Sequence, residues 1–350
     1  MSGEVILKIL QLVLVPFVFV ALIIPYIVKL ANKVGAIDVP RGERHNHSKV
    51  TPKLGGLGIF LGFLLGYMLF GTHSVQMNSI LIASFIIVLM GIFDDIVEFK
   101  PGIQLITQII AATIIAVYGG ILLQDIDAFG IYINFGIFAY PLTILFIVGC
   151  INCINLIDGL DGLSGGISSI YYLTIGIIAT IKGSYGLDFI LTFTMLGATL
   201  GFLVHNFYPA KIFVGDAGTN FMGLIISVIA LLGFKNVTVT SLIIPLLILA
   251  VPILDTLFAI LRRLLKGQPI MKADNFHIHH QLLRKNFSVR KTVLIIYIVD
   301  VLFAATSILY VVGDRKLGYI IYGILFILVI IFVLTTNVVF DKTFRKKKIK

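Results

Sequence analysis

Charge is what this sequence has least of. Asp, Glu, Lys and Arg make up 13% of its 350 residues, against roughly 25% in an average soluble protein. Hydrophobic residues make up 59%, and the mean hydropathy is +1.07. A globule of this size could not cover itself with so few charges, so a water-soluble enzyme is excluded. Cysteine occurs only twice, which excludes a secreted disulfide scaffold. The apolar content also excludes disorder and a collagen-like chain. What remains is a polytopic membrane protein.

A membrane helix needs about 20 mostly apolar residues to cross a hydrocarbon core of roughly 30 Å. The apolar runs predict an all-α membrane helix bundle of about 11 spans, at 5–31, 54–70, 79–93, 103–123, 135–151, 164–181, 187–205, 219–234, 241–262, 292–312 and 318–340. The third and eighth are the shortest. The runs are continuous rather than alternating, which excludes a membrane β-barrel. Loops after odd-numbered spans hold 22 of the 27 Lys and Arg, so that face is read as cytoplasmic and the N-terminus as outside. The net charge of +10 is then a topology signal and not a nucleic-acid footprint. The first run is too long for a signal peptide and is read as a retained helix. With no repeat of solenoid period, residues 1–350 are read as a single integral-membrane domain. The basic tail Arg345–Lys350 reads as an anchor for anionic lipid.

Four polar clusters interrupt the apolar background, each after an odd-numbered span. They are Asp94-Asp95, Asn152–Asp161 (NCINLIDGLD), His205–Asn220 (HNFYPAKIFVGDAGTN) and Asp274–His280 (DNFHIHH). Random placement would put about half of them on the other face. One-sided clustering predicts a site assembled from four loops at the cytoplasmic boundary. Asp94, Asp95, Asp158, Asp161 and Asp216 are hard oxygen donors suited to Mg²⁺ that also holds phosphate oxygens. Glycines at 91, 159, 162, 215 and 218 flank them, where a ligand or another backbone comes close. The His cluster and its basic neighbours supply donors for anionic oxygens.

Each cluster taken singly has a plainer reading. Asp-Asp at a helix end is commonly a solvated turn, the DG pairs resemble successive Asx–Gly turns, and three His are also a partial zinc set. Cys150 and Cys153 form CxxC at the end of an apolar span, where small-residue packing is the preferred reading. Asp255 and Asp300 fall inside spans, and an ion pair or inter-helix hydrogen bond is preferred for Asp255. An ion-coupled transporter would use those two carboxylates, but would place its acids at the midplane and repeat its halves.

The ordered set GIFDD (91–95), NCINLIDGLDGL (152–163), NFYPAKIFVGDAG (206–218) and HIHH (277–280) resembles the polyprenyl-phosphate N-acetylhexosamine-1-phosphate transferases. The resemblance runs along nearly the whole chain, and its HxHH form is similar to the bacterial undecaprenyl-phosphate GlcNAc-1-phosphate transferases. It implies transfer of GlcNAc-1-phosphate from UDP-GlcNAc to undecaprenyl phosphate, release of UMP and dependence on Mg²⁺, with Mn²⁺ as the alternative ion. This would be the first membrane step of an O-antigen, common-antigen or teichoic-acid polymer in a bacterial plasma membrane. By motif match, Asp216 would ligate the metal with help from Asn155. Asp161, Asn206 and Phe213 would hold the uracil, and Lys49 would lie near the nucleotide. His277, His279 and His280 would contact diphosphate and sugar. Asp94 and Asp95 would handle the lipid phosphate or its proton, and Asp158 would complete the acidic centre. The resemblance also implies a homodimer. Gln104 stands where many relatives carry Lys. The alternative donor within the wider family is UDP-MurNAc-pentapeptide, although those enzymes carry contiguous histidines. A CDP-alcohol phosphotransferase would need a DGxxAR stretch that DGLDGL does not supply.

Overall fold

A computed structural model shows a predominantly helical chain, described for residues 2–39, 50–128, 131–235, 243–269 and 276–336. Its contacts divide it into two compact units, Met1–Pro245 and Leu246–Lys350, where the sequence reading treated the chain as one. The first unit holds α1 (Gly3–Val34), α2 (Gly55–Phe70), α3 (Val75–Val97), α4 (Pro101–Thr113), α5 (Ala139–Ile157), α6 (Leu163–Lys182), α7 (Leu187–Asn206) and α8 (Gly215–Lys235). α4 continues into a π-helical turn at Ile114–Tyr118. Two small antiparallel ribbons decorate the bundle. Ile37–Asp38 (β1) pairs with Thr51–Pro52 (β2), and Asp125–Ala128 (β3) pairs with Ile131–Asn134 (β4) in a register that sets Asp125 opposite Asn134.

α8 is the hub of this unit, packing against α2, α3, α5, α6 and α7, while α7 packs against α1, α2, α6 and α8. In their apolar stretches 89% of α8 and 83% of α7 is buried, against 17% of α1. Exposed Leu14, Leu22 and Tyr26 on α1 are what a lipid-facing helix shows, because lipid tails solvate such side chains as well as protein does. Small residues let the hub approach its neighbours. A Cβ on Gly91 of α3 would strike the backbone of Ala217 on α8, so the two helices touch main chain to main chain.

The second unit contains α10 (Ala250–Leu265), α11 (Ile278–Arg284), α12 (Val289–Val312) and α13 (Arg315–Thr335), with α9 (Ile243–Ile248) crossing the boundary between units. Phe303, Tyr322 and Leu325 form its α12–α13 core, and the hydroxyls of Ser307 and Tyr322 bond at 2.7 Å.

Each of the eleven expected spans overlaps a helix among the described residues. Among the described residues, nine are long and apolar enough to cross a membrane, which makes the chain a multi-pass membrane protein. Two spans depart from expectation. α2 has only 16 residues, and the ninth span is divided into α9 and α10 at Leu249. Pro252 has no N–H for the carbonyl of Ile248, and its ring crowds that turn, so the helix restarts there. The β3–β4 ribbon was not anticipated, because its alternation is only four residues long on each side.

Candidate active site

Three helix ends of the first unit converge. α3 and α5 bring their C-termini, and α8 its N-terminus, to one place. The first turn of any helix leaves amide N–H groups without intrahelical acceptors. In α8 these are met from another helix: the Asp95 carboxylate of α3 accepts from Asp216 N at 3.1 Å and from Ala217 N at 3.4 Å. Gly215, at φ +72°, makes the turn into α8, and a side chain there would meet Lys53 O and the Asp95 carboxylate. Asp95 therefore positions Asp216.

Asp94, 5% exposed, is held from the opposite direction. Its Oδ1 accepts from Phe99 N and its Oδ2 from Gln104 Nε2, each at 2.6 Å. Its carboxylate also lies within hydrogen-bonding reach of the Asp216 carboxylate. Asn155, in the last turn of α5, donates from Nδ2 to Asp216 Oδ1 at 2.6 Å and to Thr219 Oγ1 at 2.9 Å. Asp158 caps α5 and accepts from Ser164 Oγ at 2.6 Å. Part of the residue reaches the surface, but its carboxyl is enclosed. That burial pushes it up to about 7 against the Ser164 bond, with Asp216 and Asp161 adding to the rise.

Lys53 is the cation whose charge acts on both Asp95 and Asp216. It sits in TPKLGG (51–56), which lies against FVG (213–215): Phe213 N donates to Pro52 O at 2.7 Å, and Gly55 N and Gly56 N donate to Phe213 O and Val214 O at 2.9 and 2.7 Å. The first amides of α2 thus find acceptors in the loop before α8. Sequence reading passed over Lys53 and the bond of Gln104 to Asp94. The only sequence signal for Lys53 was its place before Gly55-Gly56, which mark a close approach.

The expected nucleotide residues hold loops together. Asn206 Oδ1 accepts from Gly162 N at 3.0 Å and its Nδ2 donates to Ile212 O at 2.8 Å, while Asp161 Oδ2 accepts from Ala210 N at 2.9 Å. The DGLDG turn and the 207–214 loop are tied by these three bonds, beside half-buried Phe213. Both polar atoms of Asn206 are committed to that tie. Lys49, expected near the nucleotide, lies outside the described residues, as does Asp274.

The His cluster belongs to the second unit. His277 Nδ1 bonds Asp255 Oδ2 at 2.9 Å, and Asp255 Oδ1 accepts from Ile278 N at 2.8 Å, so the Asp255 carboxylate of α10 orients the start of the motif. This is the hydrogen bond preferred for Asp255 on sequence grounds. His277 and His279 lie parallel with centroids 5.7 Å apart, and His280 is 4.2 Å from His279. His279 is 2% exposed, and among the described residues neither of its ring nitrogens has a partner. Burial and then the neighbouring His280 push it down to about 3, against the pull of Asp255. It is neutral at pH 7. Asp300 is fully buried in α12, and neither of its oxygens has a partner among the described residues.

The first unit's donors suit a small hard cation. Two carboxylates at hydrogen-bonding reach, Asp94 and Asp216, need a proton or a cation between them, and an amide stands alongside. Mg²⁺ characteristically takes one or two carboxylates and fills its other positions with water and phosphate oxygens. Among the described residues no group of three His, Cys, Asp or Glu surrounds a common point.

A multi-pass helical bundle with carboxylates gathered at three helix ends is the class that fold and site define. Residues 77–234 match the family described as glycosyl transferase family 4. Over 349 residues the chain is 39% identical to the probable undecaprenyl-phosphate N-acetylglucosaminyl 1-phosphate transferase of Bacillus subtilis (strain 168), covering 98% of this chain and 96% of that protein. It is 32% identical to the decaprenyl-phosphate N-acetylglucosaminephosphotransferase of Mycobacterium tuberculosis (strain ATCC 25618 / H37Rv), over 77% of this chain and 74% of that one. To the undecaprenyl-phosphate alpha-N-acetylglucosaminyl 1-phosphate transferase of Escherichia coli (strain K12) it is 29% identical, over 84% and 81%. The chain belongs to glycosyl transferase family 4, among the polyprenyl-phosphate N-acetylglucosamine-1-phosphate transferases.

Proposed function

We propose that this chain transfers GlcNAc-1-phosphate from UDP-GlcNAc to undecaprenyl phosphate and releases UMP, at the cytoplasmic face of a bacterial plasma membrane with its N-terminus outside. The observation that carries this reading is that the acidic motifs shared with such enzymes meet at the first turn of α8. In sequence Asp95 and Asp216 are separated by 121 residues. A relative named for such a transfer matches over 98% of this chain.

An oxygen of the lipid phosphate attacks the β-phosphorus of UDP-GlcNAc. A new P–O bond forms, the bond from that phosphorus to the bridging oxygen breaks, and UMP leaves with the electron pair. The nucleophile already carries negative charge, so the protein has mainly to position and neutralise. Asp216 and Asn155 would hold Mg²⁺, or Mn²⁺ in its place, which when bound neutralises the donor diphosphate. Asp94 faces the reacting oxygens, and Lys53 adds the nearby positive charge. Asp161, Asn206 and Phe213 frame the nucleoside, with the first two acting by shaping the loop. For His277, His279 and His280 the resemblance alone supports diphosphate and sugar contact. His277 would do so through Nε2, since Nδ1 is engaged by Asp255.

The direct route is favoured over an aspartyl-phosphate because Asp95 already accepts two amides and Asp94 has a donor on each oxygen. Incubating the protein with UDP-GlcNAc labelled with ³²P at the β-phosphorus tests this: label should pass into lipid only when undecaprenyl phosphate is present. Label retained on protein without acceptor would overturn the direct route. Absence of lipid product from folded protein would overturn the reading itself.

A further inference from the structure

α4 places two amide side chains one turn apart on the face it turns toward α3 and α5. Gln104 Nε2 donates to Asp94 Oδ2 at 2.6 Å, and Gln108 Oε1 accepts from Asn152 Nδ2 of α5 at 2.7 Å. Between them, Asp94, Gln104, Gln108 and Asn220 line a cavity of about 10 Å³ under Gly91. That is room for about one water, so few waters compete with the Gln104 amide for Asp94. Asp94 reaches Gln104 across the α3–α4 corner, where Glu98 adopts φ +53° and Phe99 N donates to the other carboxylate oxygen. The Asp94 carboxylate is thus gripped on both oxygens by the corner and α4, and turned toward Asp216.

From this we infer that Gln104 is the positioning residue for Asp94: its amide aims the carboxylate without touching substrate. A donor at the end of a medium-length side chain is what position 104 requires. Its consequence for turnover rests on the transferase reading above, whereas the hydrogen bond itself does not.

Two measurements on the full-length protein in detergent, with the variants Gln104→Leu and Gln104→Lys, separate these. In kinetics, Gln104→Leu should lower kcat for UMP release at least tenfold, with KM for UDP-GlcNAc and for undecaprenyl phosphate within about twofold of the parent, because a misaimed group is felt in the transition state. Gln104→Lys, which restores a donor, should recover kcat to within about threefold. In hydrogen–deuterium exchange without substrate, the peptide containing Phe99 should exchange several-fold faster in Gln104→Leu and at the parent rate in Gln104→Lys. Parent kcat in the Leu variant would overturn the proposal. So would a loss confined to KM for undecaprenyl phosphate, which would make Gln104 a lipid-phosphate contact. If the parent protein releases no UMP, the transferase reading fails, and unchanged exchange at Phe99 would independently reject the role of Gln104.

Discussion

At the scale of single residues, aspartates that meet in the site do different work. Asp95 spends its carboxylate on the first amides of α8, whereas Asp216 presents its own to the place where the three helix ends meet. Losing a helix cap typically costs about 1 kcal/mol. Asp95→Ala is therefore expected to lower the thermal midpoint as well as UMP release. Asp216→Asn should leave the midpoint near that of the parent while cutting release at least a hundredfold. Equal destabilisation by both would contradict the division. Asp95 and Asp216 were both legible as site candidates in the sequence, but not this division, because the partner amides lie 121 and 122 residues from Asp95. His279 gives a second test. Its folded value of about 3 lies below the ordinary 6.5, so the unfolded chain binds the extra proton in the window between them. Its contribution to stability is full above about 6.5 and falls as pH drops toward 3, by about 2 kcal/mol at pH 5. Asp158, raised to about 7, gains stability over the same range, so the test is the difference between proteins: from pH 7.5 to 5.0 the parent should change by about 2 kcal/mol less favourably than His279→Gln. Equal changes in the two would mean that His279 is not buried neutral.

Elements carry the next level of control. The spacing of α3 from α8 is set by Gly91, whose missing Cβ lets the backbone of Ala217 approach. Overpacking a tight contact costs about 1–3 kcal/mol, and here it would also draw Asp94 and Asp95 away from Asp216. Gly91→Ala should reduce both folded yield and UMP release, while Gly149→Ala in α5, where a Cβ has open space, should do neither. An active, stable Gly91→Ala protein would contradict the close approach. Sequence periodicity placed the helices themselves well, since a run of apolar residues in lipid has few alternatives to a helix. It did not reveal where helices cross, because glycine at a crossing and glycine in a loop read alike. For the division of the ninth span at Leu249 the sequence shows only the prolines at 245 and 252, which disturb a helix without fixing where it breaks. The tie from Asn206 to Gly162 was likewise hidden, since its two ends look like separate nucleotide residues.

For the whole molecule, the account places the acidic site on the cytoplasmic side and the β3–β4 ribbon on the other. With Cys150 and Cys153 replaced by serine, Tyr132→Cys on the ribbon should react with an impermeant maleimide in intact cells. Tyr208→Cys should react only after permeabilisation. Both parent side chains are well exposed, at 63% and 43%. The reverse pattern would invert the topology drawn from Lys and Arg. The central claim concerns the reaction. The measurement that meets it most directly is UMP release by the purified protein from UDP-GlcNAc, and in parallel from UDP-MurNAc-pentapeptide, with and without undecaprenyl phosphate and Mg²⁺. The account predicts release from UDP-GlcNAc alone, requiring both lipid and metal. Release from the pentapeptide donor instead, or none from either by folded protein, would contradict it.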